Sequence, residues 1–202
     1  MHPRASRCAL AIFLCLTLAA IPDSDASVSI PVERMMEMAT KEGNVSAQFL
    51  LGSMYASGQG VKQDMKEALR WYNAAADQGH MDAQFELGNI YAQGNGRPKN
   101  DAEALMWYQQ AATSGHVGAQ FLLGQWYSMG RGTTPNPVQA LLWYTKAAEQ
   151  NHTEALFLAG SMILRGQGVK KDLAQAAQLL AESQGQARQL AQRFGLLDEE
   201  EG

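Results

Sequence analysis

His80, His116 and His152 stand at intervals of 36 residues, and this ladder of imidazoles is the first arrangement in the chain that could carry chemistry, as metal ligands or proton carriers. Each lies one repeat from the next, so stacked helices separate them by at least the roughly 8 to 10 Å of a helix layer, too far for one shared ion. Their place after Gly79, Gly115 and Asn151 makes them turn residues, expected to cap the preceding helix through its last carbonyls. Four G-x-G loops, at Gly58, Gly94, Gly130 and Gly166, resemble phosphate cradles in composition. None extends to G-x-G-x-x-G or ends in G-K-S/T, and each falls between two helical patterns, so they read as turns. H-E-x-x-H and G-x-S-x-G are absent, and Glu67 and Glu103 recur as helix-cap residues instead of meeting as paired acids. The pairs Trp71-Tyr72, Trp107-Tyr108 and Trp143-Tyr144 could be ligand platforms, but adjacent helical side chains point about 100° apart, so one ring of each pair is expected in the core. No residue is assigned a catalytic, cofactor-binding or metal-binding role.

The elements that hold these residues come from the period itself. Ala47, Ala83, Ala119 and Ala155 are 36 residues apart, and Phe49, Phe85, Phe121 and Phe157 keep the same step, as do Gly52, Gly88, Gly124 and Gly160. A fixed period of this length means a solenoid whose units stack only on their neighbours. Within a unit, Ala83, Leu87, Gly88, Ile90 and Tyr91 fall on one face of a first helix. A glycine inside that helix costs about 1 kcal/mol against alanine, so its recurrence predicts a neighbouring helix backbone too close for a side chain. Asp64, Asn100, Asn136 and Asp172 are N-cap residues for a second helix, with Glu67, Glu103, Gln139 and Gln175 three positions on in capping-box spacing. Alternating alanines and large aromatics then let one helix settle into the next.

The fold class expected is all-α, a right-handed α-solenoid of about four helix-turn-helix units near 47–82, 83–118, 119–154 and 155–186. Incomplete capping units flank them. An N-terminal capping helix is expected over 32–43 and, after a turn at Gln184-Gly185-Gln186, a C-terminal capping helix over 187–194, followed by an acidic tail at 198–202. Of the 202 residues, 46% are hydrophobic and 18% charged, enough to build a core, and the net charge of −4 with no basic cluster larger than Lys170-Lys171 argues against nucleic acid and anionic membrane as partners. Residues 1–26 have the layout of a secretory signal peptide: Arg4 and Arg7, an apolar run from Cys8 to Ala20, then Pro22 and small residues up to Ala26. The run is shorter than the about 20 residues a membrane-spanning helix needs. Both cysteines lie inside this leader, so the remainder is expected to be exported, periplasmic or secreted, and stable without disulfides.

Units with A-x-F-x-L-G-x-x-Y, a G-x-G loop, an acidic or Asn cap, A-L-x-W-Y and a closing A-A-x-x-G-H resemble Sel-1-like repeats over about residues 32–194. The resemblance implies a superhelix of α-hairpins whose first helices line a concave face, and non-enzymatic adaptor or scaffold roles. Placed on the related tetratricopeptide pattern, Phe49, Ser53, Ala56 and Ser57, then Phe85, Asn89 and Gln93, then Phe121, Gln125 and Met129, then Phe157, Ser161 and Arg165 line that groove. The phenylalanines are equally well placed to seal one hairpin to the next. The partner expected is another protein or an extended peptide, with no cofactor. The alternatives are a periplasmic regulator subunit of an envelope sensor or flagellar motor, or a cell-wall-ligand binder with penicillin-binding or hydrolase activity. The last follows cysteine-rich relatives, whose disulfides a cysteine-free chain cannot form, and S-x-x-K is missing here.

Overall fold

A computed structural model describes residues 31–193, and among these every regular element is an α-helix. The chain runs α1 (Val32–Lys41), α2 (Val45–Ser57), α3 (Met65–Asp77), α4 (Met81–Gln93), α5 (Asp101–Thr113), α6 (Val117–Met129), α7 (Pro137–Glu149), α8 (Thr153–Arg165) and α9 (Leu173–Arg193). Helices α2 to α8 are each 13 residues long. Each helix packs mainly on its neighbours in sequence, most closely within the hairpins α2–α3, α4–α5, α6–α7 and α8–α9. The core accordingly divides into four clusters, each shared between adjacent layers. The expected leader over 1–26 and the acidic tail over 198–202 lie outside the described residues.

The helix boundaries follow from capping. Asp64 Oδ1 accepts from the Lys66 and Glu67 amides, Asn100 Oδ1 from Ala102 and Glu103, Asn136 Oδ1 from Gln139, and Asp172 Oδ1 from Gln175. The reciprocal half of the capping box is not made, because the N–H groups of Asp64, Asn100 and Asn136 donate instead to the carbonyls of Tyr55, Tyr91 and Tyr127 at 2.9, 2.9 and 2.7 Å. That bond ties the start of each second helix to the last turn of the first. At the other turn, Gly79, Gly115 and Asn151 take left-handed φ values of 85°, 97° and 63°, the conformation that ends a helix.

Three expectations change in the structure. The histidines cap the following helix: Nδ1 of His80, His116 and His152 accepts from the amides of Ala83, Ala119 and Ala155 at 3.3, 3.0 and 3.3 Å. The glycine inside each first helix makes room for a ring and not for a backbone. A Cβ on Gly52, Gly88 or Gly124 would stand 2.5 Å from Cδ1 of Tyr72, Tyr108 or Tyr144, and only Gly160 meets a neighbouring backbone, Ala176 O at 3.2 Å. Tyr72, Tyr108 and Tyr144 are buried in consequence, and Trp71 and Trp143 beside them are buried as well, so that two of the three pairs place both rings in the core.

The third change is at the C-terminal end. The turn expected at Gln184-Gly185-Gln186 and the separate helix over 187–194 are replaced by the single 21-residue helix α9, described as far as Arg193. Gly185 keeps a helical φ and no side-chain atom crowds it. A lone glycine costs a helix only about 1 kcal/mol, and without the glycine-histidine pair that ends α3 and α5 nothing diverts the chain.

Candidate protein-binding face

The phenylalanines of the first helices are the residues whose role the sequence left open. Phe49 stacks on His80 with centroids 4.6 Å apart, Phe85 on His116 at 4.2 Å and Phe121 on His152 at 4.4 Å. Each also meets a tyrosine of its own hairpin, Tyr72, Tyr108 or Tyr144, at 5.7 to 5.9 Å. These three rings seal successive units together. Phe157 has no ring stacked on it among the described residues and is 54% exposed, over an apolar groove of about 480 Å³ that it shares with Phe121, Leu158 and Ser183.

One imidazole therefore both caps a helix and covers a phenylalanine. His116→Ala is expected to cost about 2 kcal/mol in chemical denaturation, from the lost cap and the lost ring contact. His116→Asn should recover roughly half of that, because Asn44 performs the capping role alone at α2, its Oδ1 accepting from Ala47 N at 2.9 Å. Equal losses for both variants would mean that the cap contributes nothing.

The remaining face residues are open or half-buried. Ser53, Gln93, Met129 and Arg165 are exposed, Met129 by 65%, while Asn89, Gln125 and Ser161 are half-buried. Asn89 Oδ1 accepts from the Tyr108 hydroxyl at 2.8 Å. Between the first two units a cavity of about 470 Å³ opens, lined by Ala56, Gln63, Met65, Tyr72, Glu86, Asn89 and Gln93 among others. The structure thus brings Ala56, Asn89 and Gln93 to one depression and leaves Gln125, Met129 and Arg165 elsewhere. Burial pushes the Tyr72, Tyr108 and Tyr144 phenols up to about 12, with the Glu86 charge adding at Tyr72, so all three stay protonated hydrogen-bond donors at neutral pH.

Sequence reasoning missed two sets of residues that hold this face in place. Gln48, Gln84 and Gln120 are buried, and their Nε2 atoms donate to the carbonyls of Ala39, Ala76 and Ala112 at 3.1, 3.2 and 3.1 Å. Gln48 and Gln120 also accept from Gln78 and Gln150, the residues that follow α3 and α7. The signal was present as A-Q-F in three units against A-L-F in the fourth, where Leu156 is buried instead. Arg131 donates to Ala92 O at 3.1 Å and Asp101 Oδ1 at 3.0 Å and lies over Trp126 at 4.0 Å, fastening one loop to the unit before it. Its hydrogen bond holds the Asp101 carboxyl below the usual carboxylate range.

Among the described residues, no three His, Cys, Asp or Glu side chains converge as metal ligands, and no helix is long and apolar enough to cross a membrane. The arrangement offers contact surface, amide groups and one carboxylate in a cavity.

The Sel1 repeat pattern matches residues 45–80, 82–116, 117–152 and 153–183. Two solved structures resemble the chain in sequence as well as fold. A protective antigen present in uropathogenic Escherichia coli strains, displaying an SLR fold, is 36% identical with a TM-score of 0.70 over 76% of this chain and 33% of its own. A Sel1 repeat protein from Oxalobacter formigenes is 32% identical with a TM-score of 0.68, over 76% of this chain and 63% of its own. This chain therefore spans less than two thirds of either relative. Cysteine rich protein B of Helicobacter pylori, 18% identical with a TM-score of 0.50 over 64% of this chain and 98% of its own, shares the fold alone. No curated protein matches the chain.

Proposed function

The chain belongs to the Sel1 repeat family, whose members generally serve as protein-interaction scaffolds, and we propose that it is an exported, non-enzymatic scaffold that engages another protein or an extended peptide through the concave face of its first helices. The observation that carries this reading is the division of labour among side chains. Tyr72, Tyr108, Tyr144, Gln48, Gln84, Gln120 and the three histidines are consumed in joining helices and units, whereas Ser53, Gln93, Met129 and Arg165 on the first helices stay exposed and a cavity opens beside Asn89. Rigid walls with open amides suit an extended backbone, because the surface loses little entropy on binding. Export is proposed on the leader pattern of residues 1–26, with the periplasm as destination and secretion as the alternative.

Photo-reactive residues installed singly at Ser53, Gln93 and Gln125, in the cell that makes the protein, test this reading. All three positions should yield adducts to one and the same partner, while Gln109 and Lys146, exposed on the second helices, should yield none. Adducts confined to Gln109 and Lys146 would move the interface to the opposite face.

A further inference from the structure

The residue after each first-helix phenylalanine is Leu50, Glu86, Leu122 and Leu158, so one carboxylate interrupts a leucine position. Leu122 and Leu158 pack against the core clusters of their units. Glu86 forgoes that contact and stands half-buried on the wall of the 470 Å³ cavity, together with Tyr72, Gln63, Asn89 and Gln93. Inside the fold it gains little in return. Its hydrogen bond is a 3.4 Å contact from Asn89 Nδ2, and no cation among the described residues pairs with it. Arg70 pairs with Glu67, Lys99 and Arg131 pair with Asp101, and the Arg97 guanidinium lies 3.5 Å over the Tyr91 ring. A half-buried carboxylate without a countercharge is a cost to the fold, while the amide oxygens of Gln63, Asn89 and Gln93 on the same wall suit a cation.

We infer that this cavity takes one basic side chain, arginine or lysine, of the partner's extended segment, with Glu86 as its countercharge. This rests on the first-helix face being the binding surface and names the chemistry recognised there. The planar guanidinium can bond Glu86 and a side-chain amide oxygen at once.

Titration of the isotope-labelled chain with the capped pentapeptide Gly-Gly-Arg-Gly-Gly, followed by amide NMR, tests the assignment. The expected result is saturable shifts at Glu86, Asn89 and Gln93. Affinity should fall about ten-fold in Glu86→Gln, and by a similar factor when citrulline replaces arginine in the peptide. Glu86→Leu restores the residue of the neighbouring units and should match Glu86→Gln in binding while melting at or above the wild type, which separates recognition from folding. Absence of shifts at these amides, equal binding of the citrulline peptide, or undiminished binding by Glu86→Gln would overturn the inference. The face as a whole is judged separately, by the photo-crosslinks at Ser53 and Gln125, which do not line this cavity.

Discussion

Gly132→Ala is expected to destabilise the array by about 3 kcal/mol, whereas Gly79→Ala should cost only about 1 kcal/mol. Both glycines are left-handed, with φ of 72° and 85°, so both variants carry the strain of an L-residue in that region. The difference lies in what a Cβ would meet. At Gly79 nothing stands within 4 Å, but at Gly132 the new atom would lie 2.4 Å from the carbonyl oxygen of Asp101. That oxygen cannot step aside cheaply, because Asp101 begins α5, is preceded by the cap Asn100 and is held by Arg131. Gly168 meets the carbonyl of Pro137, the first residue of α7, in the same way, and Gly96 meets the Cβ of Met65, the first residue of α3, at 2.8 Å. The second glycine of each of the last three G-x-G loops is therefore the seat of one unit on the unit before it. Guanidinium midpoints for the two variants decide the point, and equal losses would show that conformational freedom alone explains these glycines.

The sequence made the period, the caps and the left-handed turns legible, since each rests on interactions within a few residues. The N-caps Asp64, Asn100 and Asn136 and the turn residues Gly79, Gly115 and Asn151 stand where local rules placed them. What stayed hidden depends on the step from one unit to the next. Whether His116 closes the helix before it or opens the one after it cannot be decided from its neighbours in sequence, because the deciding ring, Phe85, lies 31 residues away in the previous unit. The same holds for Gly132 against Asp101 and for the buried glutamines, whose acceptors belong to the preceding layer. Gly185 misled for the opposite reason. The turn chemistry was read from one glycine, where the other units use a glycine or asparagine together with a capping histidine.

Asn89→Arg combined with Gln125→Arg is expected to weaken partner binding by more than about 100-fold while leaving the fold in place. Both residues are half-buried on first helices one unit apart, so two long cations would project across the centre of the proposed groove. At position 89 the new guanidinium would also answer Glu86 from within the chain and occupy the cavity beside it. The cost to stability should stay at about 2 kcal/mol, that of leaving the buried Tyr108 hydroxyl without its acceptor, since the new guanidinium replaces the Asn89 contact to Glu86 and the Gln125 side chain has no hydrogen bond among the described residues. Calorimetric titration of the crosslinked partner, once purified, against the wild-type chain and this double variant, with circular dichroism of both, is the most direct measurement of the central claim. Binding lost with unchanged helicity is the result expected. Undiminished affinity in the double variant would contradict a first-helix interface and assign recognition to another surface.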